Sequence, residues 1–167
     1  MAVPRMKTHE PKGRRRIAAP KTPPLTDPGW RAFVLEWEQL TDAVDGDWRA
    51  LRQGARRVKA KFVKTVPADA IEQHLAYAVF DLAVNWRVNP RIVRTAFSRV
   101  WSGSFDPYLR ISASAHFWAW AGAVSQVDMG TAERAVSEAR ELIRDFPDPL
   151  KRINLERMMR RLTEASS

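Results

Sequence analysis

Of the side chains that could move a proton or attack a carbon, histidine is the scarcest here, with only His9, His74 and His116 present. General acid–base and nucleophilic catalysis need such a group held beside a second one. His74 and Asp81 stand seven residues apart on one helical face, and Ser112 and His116 four apart on another. A Ser–His–Asp constellation is therefore arithmetically available across packed helices. Nothing resembling a strained nucleophile turn accompanies Ser112, and these groups read as satisfied polar residues in an alanine-rich core. The chain is expected not to be an enzyme.

Metal and cofactor chemistry is equally sparse. No His pair stands at i, i+4, and Glu72-Gln73-His74 lacks the Glu-x-x-His spacing of helical carboxylate sites. The seven glycines are scattered, so no loop is built to cradle phosphate. No metal and no cofactor are expected. The absence of cysteine excludes a disulfide framework, an iron–sulfur cluster and a thiol nucleophile, and it fits a reducing compartment, so a cytoplasmic location is expected.

Charge is the strongest chemical signal. The net charge is +9, and residues 1–27 carry seven Lys/Arg against two Asp/Glu, 28–66 eight against five, and 67–105 four against three. From residue 106 onward the charges balance. An excess confined to the front of the chain points to a polyanionic partner, because summed positive potential concentrates polyanions at one surface. Three groups of cations stand out. Arg14, Arg15 and Arg16 form a run suited to phosphate neutralisation or minor-groove entry. Arg49, Arg52, Arg56 and Lys59 form a stripe along one helix. Arg91 and Arg94 stand at the front of a further helix, 90–101, facing outward, and outward arginines of this kind can make bidentate contacts with guanine.

That last helix belongs to a segment, residues 79–100, in which Leu82-Ala83, Trp86-Arg87-Val88-Asn89 and Val93-Arg94-Thr95-Ala96 resemble a helix-turn-helix. The resemblance makes Ala83 the small contact residue and Asn89 the cap, turns Val93 and Ala96 inward, and faces Asn89, Arg91, Arg94, Thr95 and Ser98 outward. Two residues depart from the pattern. Arg87 takes the turn position usually held by glycine for its left-handed backbone. Phe80 and Val84 fall where the first helix is normally exposed, so further helices must cover them.

The elements that would position these residues are helical. Asp27-Pro28, Asn89-Pro90, Asp106-Pro107 and Asp148-Pro149 each place a capping side chain before a proline suited to the first helical position. Pro67 and Gly130-Thr131 mark further starts. The punctuation predicts an all-α bundle of about seven helices over 28–44, 46–64, 67–86, 90–101, 107–127, 131–145 and 149–164. Residues 1–27 hold five prolines and few large apolar groups and are expected to be a disordered basic arm, leaving 28–167 as one helical domain. They lack the apolar stretch of a signal peptide.

In the second helix Trp48, Leu51, Ala55, Val58 and Phe62 fall within an arc of about 80°, which makes that face core and the rest cationic. The third has apolar residues on opposite faces (Ile71, Leu75 and Val79 against Tyr77, Phe80 and Val84). With the small-residue fifth helix it should form the middle of the bundle. In the last, Leu150, Ile153, Met158 and Leu162 are expected inward. Ile111–Val127 carries too many polar residues for a comfortable span, so no membrane insertion is expected. The pattern as a whole predicts a non-enzymatic nucleic-acid-binding protein, DNA ahead of RNA. A helical adaptor or assembly subunit that binds an acidic protein partner is the alternative.

Overall fold

The computed structural model describes residues 21–103, 105–124 and 129–164. Among these the chain is all-α, with no strand. Seven helices follow in order: α1 (Pro28–Val44), α2 (Trp48–Phe62), α3 (Ala68–Asn85), α4 (Pro90–Ser102), α5 (Pro107–Ala123), α6 (Met129–Arg144) and α7 (Pro149–Glu164). Residues 14–16, with the rest of 1–20, lie outside the described residues.

The helix starts follow directly from the capping chemistry. Asp27 accepts the N–H of Trp30 at 2.8 Å, Asn89 that of Arg91 at 2.9 Å, Asp106 that of Tyr108 at 2.9 Å and Asp148 that of Leu150 at 3.0 Å. In each case the proline that follows sits where its missing N–H is no loss. Asp47 caps α2 in the same way, accepting from Ala50 at 3.0 Å. Before it the chain reverses through left-handed Asp45 and Gly46 (φ 33° and 85°), the second of which favours a residue without a β-carbon.

Trp30, Phe33 and Trp37 of α1 pack with Leu51, Val58 and Phe62 of α2. Gly54 lets the two helices approach closely, because a β-carbon there would overlap Leu40. Helix α3 is buried at Ile71, Leu75 and Val79 and, on the second expected face, at Phe80, whereas Tyr77 and Val84 of that face are only partly buried against the same core. Helix α5 touches α3 and α4 in front and α6 and α7 behind. Two clusters of buried side chains result. A large one spans α1–α5 and takes in Ala132 and Ala135 of α6, and a smaller one joins Ile111 and Ala115 of α5 to Val136, Ala139 and Ile143 of α6 and Leu155 and Met159 of α7.

Two expectations need correction. Helix α5 ends at Ala123 rather than 127: Gly122, a poor helix former, is exposed in its last turn instead of packed. In α7, Leu150 and Ile153 are 74% and 42% exposed, and the inward residues are Leu155 and Met159 flanked by Met158 and Leu162. The buried face of α7 is set by where α5 and α6 stand, and the first turn overhangs them.

A buried amide joins the front of the molecule to its middle. Gln73 is 2% exposed; its carbonyl accepts the Asp106 N–H at 2.8 Å and its amide donates to Thr22 at 3.2 Å. The arm expected through residue 27 is thus tied to α3 from Thr22 onward.

Candidate functional site

The cations of the front half converge. Helices α2 and α4 both lie against α3 and leave between them a cleft of about 530 Å³. Helix α2 brings Arg52, Arg56 and Lys59 to it, and α4 brings Arg91, Thr95 and Arg99. Glu72 is the single carboxylate that lines it. The floor is aliphatic, made by Leu75, Ala76 and Val79 of α3, with Ala55, Ile92 and Ala96 on the lower walls and Trp48 at the edge. Trp48 is held there edge-on to Trp86, ring centroids 6.4 Å apart.

Electrostatics within the cleft are unbalanced. Glu72 binds Lys59 at 2.6 Å and stands 3.6 Å from Arg99, so one carboxylate answers two cations from opposite walls. Arg52 has no ion pair among the described residues. Burial, then the neighbouring charges of Arg99 and Arg56, lowers its pKa from the ordinary arginine value. A guanidinium remains charged at neutral pH regardless. What these neighbours mark is a partly desolvated cation repelled by its surroundings, a place where an added anion is stabilised.

The α3–α4 connection turns at Arg87. Arg87 adopts a left-handed conformation (φ 50°), the N–H of Arg87 bonds the carbonyl of Val84 at 3.2 Å, and the N–H of Val88 bonds that of Ala83 at 3.3 Å. This is the Schellman closure of a helix end, here built on arginine in place of glycine. Ala83, Val93 and Ala96 are buried as expected, while Asn89, Arg91, Arg94, Thr95 and Ser98 are exposed. Phe80 is fully buried, with its ring 5.7 Å from that of Phe97. Helix α4 differs from a free-standing recognition helix in one respect. The Arg91, Thr95 and Arg99 side of it faces α2 across the cleft instead of standing alone.

The candidates from sequence therefore separate. Arg52, Arg56, Lys59, Arg91 and Thr95 share the cleft. Arg49 is exposed on α2, and Arg94 and Ser98 on α4, without lining it, while Asn89 serves as the α4 cap. Arg14, Arg15 and Arg16 lie outside the described residues. Sequence reasoning missed Arg99 and Glu72. The i, i+4, i+8 spacing of Arg91, Thr95 and Arg99 would have found the first, as residues at that spacing share a helix face.

Ser112, His116 and His74 each have defined partners. The Ser112 hydroxyl lies 2.8 Å from the Tyr77 hydroxyl, and His116 Nδ1 lies 2.8 Å from the backbone carbonyl of Ser112. Burial raises the Tyr77 pKa, the Ser112 hydrogen bond opposes it, and Asp81 and Tyr108 add to it. His74 is edge-on to the rings of Trp30 and Phe33, at 5.4 Å from each. Among the described residues no group of three or more His, Asp or Glu is placed to hold a metal ion, and no helix is long and apolar enough to cross a membrane.

No family model, curated protein or solved structure matches the chain.

Proposed function

We propose that the protein is a non-enzymatic nucleic-acid-binding protein, with DNA favoured over RNA, acting in the cytoplasm. The observation that carries this reading is the cleft, where Arg52, Arg56, Lys59, Arg91 and Arg99 meet with Glu72 as the opposing carboxylate. Arginine forks suit phosphate oxygens, and the phosphate backbone supplies most of the affinity in such complexes. The helix-turn-helix-like backbone at Arg87 and the exposed Arg94 extend the cationic surface beyond the cleft. The run Arg14-Arg15-Arg16 adds charge to the same half of the sequence.

The test is an anisotropy titration of labelled DNA over a salt series. For a duplex, log K should fall with log salt by about 0.9 per phosphate neutralised. The double variant Arg52→Glu with Arg56→Glu should lose most of the affinity and flatten that slope. Unchanged binding by the double variant would remove the cleft from the interface. An acidic polypeptide that binds where DNA does not would favour the adaptor reading, in which the same cations receive an acidic protein partner.

A further inference from the structure

Cations explain the rims of the cleft but not its floor. A surface that only tracked phosphates would have no use for a concave aliphatic floor, since backbone phosphates lie on the outside of a duplex and are met by exposed side chains. Leu75, Ala76 and Val79 lie at the bottom of a cleft of about 530 Å³, within the range of pockets that enclose a small ligand. The group that fits must combine an anion with a flat apolar face. A base inside a duplex is stacked on both faces and offers only its edges, whereas an unpaired nucleotide offers a whole face together with its phosphate.

Resting on the nucleic-acid reading, we infer that the cleft takes one unpaired nucleotide, its base against Leu75, Ala76 and Val79 and its phosphate met by Arg52 and Arg91. Three features agree on that chemistry. Arg52 is half-buried beside the charges of Arg99 and Arg56 and makes no ion pair among the described residues, so a phosphate relieves a repulsion the protein otherwise carries. Arg52 and Arg91 come from opposite walls of the cleft, one on α2 and the other on α4. Glu72 pairs with Lys59 and Arg99, while Arg52 and Arg91 have no ion pair among the described residues. An acidic amphipathic peptide would match the signs as well, but a cleft of this volume suits a single planar group better than a length of helix.

The source of the nucleotide is either a single strand or a free mononucleotide, and the experiment separates them. A labelled single strand of about a dozen residues and the duplex of the same sequence are titrated with the full chain at about 50 mM salt. Thr95→Phe, at an exposed position on the cleft wall, fills the space without removing a charge. Arg52→Gln removes the uncommitted cation without filling anything.

Single strand should bind about tenfold tighter than duplex, with Thr95→Phe abolishing most of that advantage. Arg52→Gln should weaken single-strand binding in the same direction. Displacement of the strand by excess mononucleotide assigns the site to the free form, and retention of the strand assigns it to the polymer. Equal binding of strand and duplex, unchanged by Thr95→Phe, overturns this inference and leaves the nucleic-acid reading standing. Binding of polyglutamate with no binding of either DNA sinks both.

Discussion

Phe97 of α4 lies flat on Phe117 of α5, ring centroids 4.0 Å apart and planes 5° from parallel. Both rings are almost fully buried, and Trp101 continues the stack at 6.0 Å. This contact fixes the depth and tilt of the helix that carries Arg91, Thr95 and Arg99, so packing on one side of α4 sets the geometry of the cleft on the other. Phe97→Ala should destabilise the protein by about 3–5 kcal/mol. A double-mutant cycle with Phe117→Ala in chemical denaturation should return a coupling of about 0.5–1.5 kcal/mol. Additive effects would mean the rings do not act as a unit.

Arg87 is held at φ 50° although arginine has a β-carbon. The left-handed region costs such a residue about 1–2 kcal/mol relative to glycine. Arg87→Gly should therefore stabilise the fold by about 1 kcal/mol, with thermal melts rising by about 2–4 °C. A lower melting temperature would show that the arginine side chain contributes more than its backbone costs.

Glu72 joins the two cleft walls through Lys59 and Arg99, in pairs that are partly exposed and individually weak, about 0.2–1 kcal/mol each. Glu72→Gln should leave the melting temperature nearly unchanged but raise the positive potential of the cleft. DNA affinity at low salt should rise several-fold, and the gain should fade as salt increases. A loss of affinity at constant stability would mean that Glu72 orients Lys59 and Arg99 for the ligand.

Burial between Trp30 and Phe33 lowers the pKa of His74 from its ordinary value of 6.5. The unfolded chain then binds a proton at a pH where the folded protein does not, so stability is full above about pH 6.5 and falls as pH drops below it. Melts at about pH 7.5 and 5.5 should show a loss for the wild type that His74→Leu reduces. Parallel losses in both proteins would assign the pH dependence to other groups.

Most of the fold was legible because its punctuation is local. Asp27, Asn89, Asp106 and Asp148 each mark a helix start by a side chain that reaches only two or three residues ahead. Where no such signal exists, the reading slipped: α5 stops early at Ala123, and α7 turns Leu150 and Ile153 outward because its inner face depends on distant neighbours. The cleft was half legible for the same reason. Arg52, Arg56 and Lys59 share a helix face that period alone reveals, as do Arg91 and Thr95. That these two faces look at each other across Leu75, Ala76 and Val79 depends on how α2 and α4 dock on α3. Nothing in either helix encodes that angle alone.

The elements that form the cleft follow one another without interruption from Trp48 to Ser102, and most helix pairs that touch in the bundle are neighbours in the chain. Contacts of short sequence separation close at small entropic cost, so such a chain folds quickly and can do so in order of synthesis. On a ribosome the two cationic walls would emerge together with their floor, lacking only Phe117 and the rest of α5 to cover α4 from behind. The arginines would then face one another before α6 and α7 exist, and a polyanion could meet the nascent chain while its rear half is still being made.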